Sequence, residues 1–315
     1  MKELSIAKFR SFQTCATSRG TFTFLALDHR QNLRRANPRF EDNHELSRFK
    51  LEVTAELAAF ATGVLLDPEV SAAQAIASGA LPGTKGLVVS LESTGYTGEP
   101  AARRSQILPG WSVEKAKRMG ASMVKLLVYY HPDSSTAAEI ETFVAQTAAE
   151  CRRFDLALML EPLSYPLKGE RLSSEEKRQV VLETARRLTA IPDVDLLKAE
   201  LPQSTDDPDM SKLADACAEL HEKSQIPWIL LSAASSFETY LQQTEIACRA
   251  GASGIAVGRS VWQEAVSLDG SARLDFLRQI ARPRLERLNA LCLALARPFT
   301  EVYHASAPFD WYQRY

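Results

Sequence analysis

The 315-residue chain has few cysteines, and none of them are arranged in pairs. The five are scattered, with no C-x-x-C motif, at Cys15, Cys151, Cys217, Cys248 and Cys292. This spacing disfavours a zinc site or a redox dithiol. Isolated cysteines are typical of a reducing compartment, and they favour a cytoplasmic location.

Long apolar runs are also missing. No stretch of 18 or more apolar residues occurs, and the first ten residues include Lys2, Glu3, Lys8 and Arg10. We therefore expect neither a membrane span nor a secretory signal.

The chain has no excess of charge of one sign. With 37 Lys+Arg against 39 Asp+Glu, the formal net charge is −2. Nucleic-acid-binding surfaces normally need a basic excess, so no nucleic-acid partner is expected. Three arginine pairs, Arg34-Arg35, Arg103-Arg104 and Arg152-Arg153, lie near acids and are interpreted as solvated helix faces. No cluster of histidine or carboxylate ligands is evident, so we predict no metal and no cofactor.

Short apolar runs recur along the chain, separated by longer segments with helical periodicity. They lack strict alternation, as expected of strands covered on both faces. The runs are Phe22–Leu27, Gly63–Leu66, Gly86–Leu91, Met123–Tyr130, Leu156–Leu160, Val194–Glu200, Trp228–Ser232 and Gly254–Val257.

The segments between these runs are predicted to be amphipathic helices. In one of them, Ile140, Val144, Ala148 and Cys151 fall on a single helical face. The predicted helices are 45–61, 111–119, 135–153, 173–189, 209–223 and 236–250. Alternating strands and helices indicate an α/β fold, and eight strands indicate a closed (β/α)8 TIM barrel. An open doubly wound sheet is the alternative, weakened because no G-x-G-x-x-G follows the first strand.

No linker or low-complexity tract divides the chain, so one barrel domain is predicted over residues 1–315. Residues 263–297 read as a final helical region, and 298–315 as a tail with six aromatic residues. The tail could pack over one end of the barrel or against a partner subunit. A homodimer or larger homo-oligomer is expected.

Charged side chains interrupt or follow several of the predicted strands. In a barrel of this type, chemistry is located at the C-terminal ends of the strands. Lys198 lies inside a strand, where burial and a neighbouring positive charge would lower its pKa and favour the nucleophilic amine. A structural salt bridge with Glu161 or Glu200 is the alternative.

Three further charges belong to the same predicted site. Lys125 lies within another strand, and two lysines in one lumen would lower each other's pKa; it could equally neutralise a carboxylate. Glu161 ends the strand before that of Lys198 and suits proton transfer during carbinolamine dehydration. Asp28 could accept a proton from a substrate hydroxyl or simply cap its strand.

The last two strands are followed by small residues of a kind that binds phosphate. The loops after strands seven and eight of such barrels commonly bind phosphate through backbone N–H groups. The candidates are Ser232 and Ala233 after one strand, and Gly258 and Arg259 after the next. Ordinary tight turns are the alternative. His29 and His131 are interpreted as surface or hydrogen-bonded residues.

With these positions in place, the chain resembles the class I tagatose-1,6-bisphosphate aldolase family and the related sulfofructose-phosphate aldolases. The matching motifs run in order from about residue 20 to 265. They are LALDHR at 25–30, LLDPE at 65–69, ESTGY at 92–96, VKLLVYY at 124–130, LKAELP at 197–202, LSA at 231–233 and AVGRS at 256–260.

The resemblance implies a metal-independent retro-aldol cleavage of a sugar phosphate in a (β/α)8 barrel. Lys198 matches the Schiff-base lysine and Glu161 the acid/base carboxylate, while Asp28 and Lys125 match polar residues of the site. Ser232, Gly258 and Arg259 match the phosphate-binding end. The implied products are dihydroxyacetone phosphate and a three-carbon aldehyde.

The resemblance is not uniform along the chain. His29 stands where the family usually has glutamine, and it could alter contacts at the distal end of the substrate. Residues 162–170 are compact, as in the sulfosugar group, whereas ESTGY is closer to the tagatose group. Arg30, Lys168 and Arg171 are candidates for binding the C6 substituent. Two competing hypotheses are a sugar-phosphate-binding regulator and a metal-dependent aldolase or isomerase.

Overall fold

The eight apolar runs form one closed parallel barrel. A computed structural model of the protein describes residues 1–203, 209–313 and 315. In it, each barrel strand pairs with the next one along the chain, and the last closes on the first, with Phe22 opposite Gly254. The predicted (β/α)8 barrel is therefore confirmed, and the open doubly wound sheet is wrong.

The strands begin and end close to the predicted limits, and they are buried almost throughout. They are β1 (Phe22–Ala26), β2 (Gly63–Leu66), β3 (Gly86–Ser90), β4 (Met123–Tyr129), β5 (Ala157–Leu163), β6 (Leu196–Ala199), β7 (Trp228–Leu231) and β8 (Gly254–Val257).

Helices surround the barrel, and the long ones match the predicted amphipathic segments. In chain order they are α1 (Ile6–Thr14), α2 (Gln31–Ala36), α3 (Asn43–Leu57), α4 (Ala72–Ala77), α5 (Val113–Arg118), α6 (Ala137–Arg153), α7 (Ser174–Leu188), α8 (Met210–Lys223), α9 (Phe237–Arg249), α10 (Arg259–Trp262), α11 (Gly270–Phe276) and α12 (Arg282–Leu295). A π-helical turn, Leu277–Ala281, joins α11 to α12. Short 3-10 turns occupy Pro38–Glu41, Ala58–Phe60, Gln263–Ser267, Phe299–Glu301 and Trp311–Gln313.

Local sequence explains where these helices begin and which face they bury. In α6, the predicted stripe Ile140, Val144, Ala148 and Cys151 is buried against the barrel. The start of α7 is a capping box, in which Ser173 and Glu176 bond to each other's backbone. The short helices α1, α2 and α4 were not predicted from the sequence.

One glycine is required where the barrel closes. Gly254 begins β8 with φ +144°, a conformation that favours glycine, and a Cβ there would lie 1.9 Å from the carbonyl oxygen of Phe22. Any side chain at this position would push β8 away from β1.

Aromatic rings close the N-terminal end of the barrel, which we call the floor. Phe12 of α1 lies 5.7 Å from Phe22, 5.2 Å from Phe299 and 5.5 Å from Tyr303, measured between ring centroids. A two-stranded pair lies beside these rings, where Lys2–Glu3 pairs in parallel with Tyr303–His304. The first part of the aromatic tail therefore packs over a barrel end, one of the two predicted alternatives.

The rest of the tail is more exposed, including Phe309, Tyr312 and Tyr315. Within the described ranges, no helix combines the length and the apolar character needed to cross a bilayer.

Candidate active site

A cavity of about 750 Å³ opens at the C-terminal ends of the barrel strands. This volume falls in the range of small-molecule pockets. All ten predicted site residues line it, namely Asp28, His29, Arg30, Lys125, Glu161, Lys198, Ser232, Ala233, Gly258 and Arg259. The strand-end rule indicated this location for most of them, and the family resemblance added His29 and Arg30, but their individual contacts differ widely.

Lys125, on β4, is the centre of a buried charge cluster at the base of the cavity. Its Nζ lies 2.8 Å from Asp28 Oδ2, 2.7 Å from Glu92 Oε1 and 2.8 Å from Glu161 Oε2. The lysine side chain is only 1% exposed. Three carboxylates from three different strand ends therefore converge on one ammonium group.

This cluster fixes the charge state of Lys125. Burial alone would lower its pKa, but Asp28, Glu161 and Glu92 together raise the pKa of Lys125 well above its usual value. The prediction that two lysines in the lumen lower each other's pKa is therefore wrong for Lys125, because carboxylates surround it. It remains an ammonium ion and cannot serve as an amine nucleophile.

Glu161, on β5, connects the two lysines. Its Oε1 lies 2.8 Å from Lys198 Nζ, and its Oε2 lies 2.8 Å from Lys125 Nζ. Burial raises the pKa of Glu161, but the two ammonium groups outweigh burial and hold it below the usual range. Burial and the same two lysines act on Asp28 in the same way, and its pKa is also lowered. Both carboxylates are ionised at neutral pH.

Lys198, on β6, is far less constrained than Lys125. Glu161 is its single ion-pair partner in the part of the chain that the structure describes, and its side chain is 6% exposed. The alternative partner Glu200 is used elsewhere: it accepts a hydrogen bond from the backbone N–H of Ser164 at 2.6 Å and lies 3.6 Å from Lys177 Nζ. Lys198 thus presents its Nζ to the cavity beside one carboxylate.

The loops after β7 and β8 form a compact end of the cavity with the features of an anion site. The backbone N–H of Gly258 donates to Ser232 Oγ at 3.3 Å, which ties the two loops together. Ala233 and Ala234 adopt positive φ values of 44° and 59°, which non-glycine residues rarely do. Such strain is concentrated at functional sites.

Arg259 supplies the charge at this end. Burial lowers its pKa, and its Nε is buried without a hydrogen-bond partner among the described residues. A guanidinium with no carboxylate beside it is a ready partner for an oxyanion. Gly258 packs closely against the protein beside Arg259, since a Cβ there would lie 3.0 Å from both the Ala26 carbonyl oxygen and His29 Cε1.

His29 is held neutral at the wall of the cavity. Its ring packs edge-on against Trp262, with 5.5 Å between centroids, and its Nδ1 is buried with no hydrogen-bond partner in the described ranges. Burial lowers the pKa of His29 to about 4, and Arg259, Lys198 and Lys50 add to this against the opposing effect of Asp28. A neutral imidazole can accept or donate a hydrogen bond to a substrate hydroxyl.

Arg30 lines the cavity, but protein groups already hold its guanidinium. It pairs with Glu69, and its second terminal nitrogen donates to the Glu92 carbonyl oxygen at 2.8 Å. The other two candidates for the C6 substituent, Lys168 and Arg171, are not among the described residues that line this cavity.

Sequence reasoning missed two parts of the cavity wall. One is α2, whose Gln31, Asn32 and Arg35 line it. This helix was not among the predicted helices. Arg35 is exposed, as predicted for the arginine pair to which it belongs, but it also lines the cavity, which was not predicted.

The other missed part is a hairpin after β3, which spans residues 92–108. Antiparallel bridges hold it at Glu92–Ile107 and at Thr97–Arg104. The Arg103 guanidinium lies 4.5 Å from the ring centroids of both Tyr96 and Tyr165, and 5.5 Å from that of Tyr129. This stack fastens the hairpin, which carries the ESTGY motif, over the mouth of the cavity.

Other strand-end and site-like residues have structural roles. Asp67, after β2, pairs with Lys50, and both side chains are fully buried. Among the described residues, no three His, Cys, Asp or Glu side chains are placed to hold a metal ion.

A sequence model of DeoC/LacD family aldolases matches residues 22–264 of the chain. The tagatose 1,6-diphosphate aldolase of Lactococcus lactis subsp. lactis is 28% identical over an alignment of 326 positions, which covers 95% of this chain and 99% of the relative. The enzyme of the same name from Streptococcus agalactiae serotype V is 29% identical, with 95% and 99% covered.

Solved structures are similar over most of the chain. A crystal structure of an archaeal fructose 1,6-bisphosphate aldolase superposes with a TM-score of 0.60 at 25% identity, covering 90% of this chain and 99% of the other. The fructose-bisphosphate aldolase of Plasmodium falciparum shares the fold, with a TM-score of 0.73 at 15% identity over 94% and 98% of the two chains.

Proposed function

The chain belongs to the DeoC/LacD family of aldolases, and from that membership and the geometry of the cavity we propose that it is a class I ketose-bisphosphate aldolase. It cleaves a substrate such as tagatose 1,6-bisphosphate to dihydroxyacetone phosphate and glyceraldehyde 3-phosphate. The observation that carries this proposal is the pair of unequal lysines. Lys125 is fixed as a cation by three carboxylates, whereas Lys198 pairs only with Glu161 among the described residues.

Lys198 is the nucleophile in this mechanism. Its ammonium group transfers a proton to Glu161, 2.8 Å away, and the amine attacks the C2 ketone of the substrate. Glu161 then returns the proton to the carbinolamine hydroxyl, which leaves as water. The product is an iminium ion between Lys198 and C2, an electron sink for the next step.

Cleavage uses the same carboxylate as a base. Glu161 removes the proton of the C4 hydroxyl, the C3–C4 bond breaks, and its electron pair forms an enamine with the iminium carbon. The aldehyde formed at C4 leaves. Protonation of the enamine at C3 and hydrolysis of the resulting iminium then release dihydroxyacetone phosphate and restore the free lysine.

The charge cluster suits Glu161 to both roles. In the resting site, the cations of Lys125 and Lys198 hold its pKa low. Formation of the neutral carbinolamine removes one of those cations, so the pKa of Glu161 rises while it holds the proton that it returns to the carbinolamine hydroxyl. The iminium ion restores a positive charge beside Glu161, so the carboxylate is ionised again when it acts as the base at C4. Lys125 stays charged throughout and holds Asp28 and Glu161 in place.

We assign the C1 phosphate to the loops after β7 and β8. Arg259 has no carboxylate partner in the described part of the chain, and Ser232, Ala233 and Gly258 surround it with small groups and backbone N–H donors. A phosphate held there would align C2 with Lys198.

Borohydride trapping tests the mechanism. The protein is incubated with dihydroxyacetone phosphate, reduced with borohydride and digested for peptide mass spectrometry. A reduced adduct on the peptide containing Lys198, absent from Lys198→Ala, is the expected result. An adduct on Lys125, or none, would refute the assignment and favour a sugar-phosphate-binding regulator. Turnover that survives EDTA separates this aldolase from a metal-dependent one.

The resemblance to sulfofructose-phosphate aldolases supports a second candidate substrate. Residues 162–170 are compact, as in that group, so 6-deoxy-6-sulfofructose 1-phosphate is the alternative, with sulfolactaldehyde as the aldehyde product. Parallel kcat/KM measurements on the two substrates decide between them.

We also propose that the enzyme works in the cytoplasm as a homo-oligomer. All five cysteines are free and buried, which suits a reducing compartment. Phe309, Tyr312 and Tyr315 are exposed near the chain end, where a partner subunit could cover them. Light scattering during size-exclusion chromatography gives the oligomeric state, and a monomeric mass would contradict the proposed homo-oligomer.

A further inference from the structure

Five cationic side chains line the described part of the cavity, and they differ in how protein groups neutralise them. Lys125 has three carboxylates, and Lys198 has one. Arg30 pairs with Glu69 and also donates to a backbone carbonyl. The remaining two, Arg259 and Arg35, have neither an ion pair nor a full set of hydrogen bonds to the described residues.

Arg35 differs from its sequence neighbour in this respect. Arg34 donates to the carbonyl oxygens of Phe40 and Glu41, at 2.7 and 2.8 Å, and to Asn43 Oδ1 at 2.6 Å. That side chain therefore fastens α2 to the turn that follows it. Arg35 is exposed, lines the cavity and has no hydrogen bond or salt bridge to any residue in the described ranges.

The helix that carries Arg35 is anchored on its other sides. Leu33 is buried in the core, and the Asn37 side chain donates to the Val266 carbonyl oxygen at 2.8 Å. Gln31 and Asn32 line the cavity beside Arg35. Two amides and a guanidinium thus face the cavity from a fixed backbone. Such groups suit a tetrahedral oxyanion, because all three donate hydrogen bonds.

We propose that Gln31, Asn32 and Arg35 form a distal oxyanion subsite that binds the C6 phosphate or sulfonate of the substrate. Together with Arg259 at the C1 phosphate, this subsite gives the cavity two unneutralised guanidinium groups and makes it selective for doubly anionic substrates. Arg30, buried and paired, has a structural role in this assignment.

This inference rests on the proposed aldolase function, and the test keeps the two apart. The kcat/KM of full-length wild type and Arg35→Ala is measured on three ketose substrates: a 1,6-bisphosphate, the matching 1-phosphate and the 6-sulfonate 1-phosphate. Arg118→Ala is the matched control. Arg118 is also an exposed helical arginine with no ion pair to a described residue, but it lies outside the cavity lining.

Arg35→Ala is expected to lower kcat/KM for the wild type's preferred doubly anionic substrate about 10- to 100-fold, because a charge-assisted contact to an anion is lost. Its kcat/KM for the 1-phosphate changes less than about twofold, and Arg35→Lys restores part of the loss. The substrate that suffers the larger loss, bisphosphate or sulfonate, identifies the anion that the subsite binds.

Equal losses on all three substrates, or none, with Lys198 still trapped by borohydride, would overturn the subsite and leave the aldolase intact. An inactive wild type without a Lys198 adduct would instead overturn the proposed function and the subsite with it. If Arg118→Ala lowers kcat/KM as much as Arg35→Ala does, the effect comes from the overall surface charge, and this result would also overturn the subsite.

Discussion

Lys125→Met tests the central charge cluster, because methionine has similar length and no charge. In the wild type, the Lys125 ammonium lies 2.7–2.8 Å from three buried carboxylates. After the substitution, Asp28 and Glu92 have lost the lysine they contact, and Glu161 retains only Lys198. Removing one partner of a buried ion pair destabilises a protein by about 3–5 kcal/mol. We expect a loss of this size at pH 8.

The same substitution should reverse how stability depends on pH. In the wild type, the pKa values of Asp28 and Glu161 are lowered on folding, so their stabilising effect is present above roughly pH 4, the usual carboxyl pKa, and is lost below it. In the variant, the Lys125 ammonium no longer opposes burial, and Lys198 is the lysine that remains beside Glu161, so the carboxyl pKa values rise. The variant should therefore become less stable as pH rises from 5 to 8, by about 1.4 kcal/mol per pH unit for each carboxylate that must ionise.

Chemical denaturation of both proteins at pH 5, 6.5 and 8 measures this change. Lys198→Met is the control, because Lys125 continues to neutralise all three carboxylates in it. That control should lose under about 2 kcal/mol, with little dependence on pH. If Lys125→Met loses less than about 1 kcal/mol, or if its stability is flat from pH 5 to 8, the three carboxylates do not depend on Lys125 and the account of the cluster is wrong.

Three further substitutions test the chemistry, the phosphate end and the floor separately. Glu161→Gln should lower kcat about 10²- to 10⁴-fold, since proton transfer at two steps is lost; unchanged kcat in a stopped-assay comparison would remove Glu161 from the mechanism. Gly258→Ala should raise KM for the sugar phosphate more than it lowers kcat. The new Cβ would lie 3.0 Å from the Ala26 carbonyl oxygen and from His29 Cε1, so the phosphate-binding loop after β8 must shift. An unchanged KM would contradict the assignment of the C1 phosphate to this loop. Phe299→Ala should destabilise the protein by about 3–5 kcal/mol with KM unaltered, as judged by denaturation and steady-state assays, and a shifted KM would link the floor to the site.

The fold could be predicted from sequence because each strand is a short apolar run and parallel barrels bury both faces of their strands. The rule that chemistry lies at strand C-termini then placed residues from β1 to β8 in one cavity, although Asp28 and Arg259 are far apart in the chain. Both the apolar run and the polar residues at its C-terminal end are visible in the local sequence of each strand.

Pairing between side chains could not be predicted in the same way. Lys125 meets Asp28 across almost 100 residues, and no local pattern indicates that three carboxylates share it. Arg30 was a candidate for binding the distal end of the substrate, but its guanidinium pairs with Glu69, which is 39 residues away in the chain. Arg35 is exposed on a helix, as predicted, but no local pattern indicated that the cavity opens beside it.

The closure of the floor has a practical consequence for handling the protein. Lys2–Glu3 and Tyr303–His304 lie side by side at the end of the barrel opposite the cavity. A purification tag or a surface tether joined at either end would therefore leave the mouth unobstructed. The Tyr315 hydroxyl donates to the Asp155 carboxylate, which also accepts from Ser5, so both ends of the chain lie on this side of the barrel. A circular permutant opened between α8 and β7, for example, could retain both the floor and the cavity.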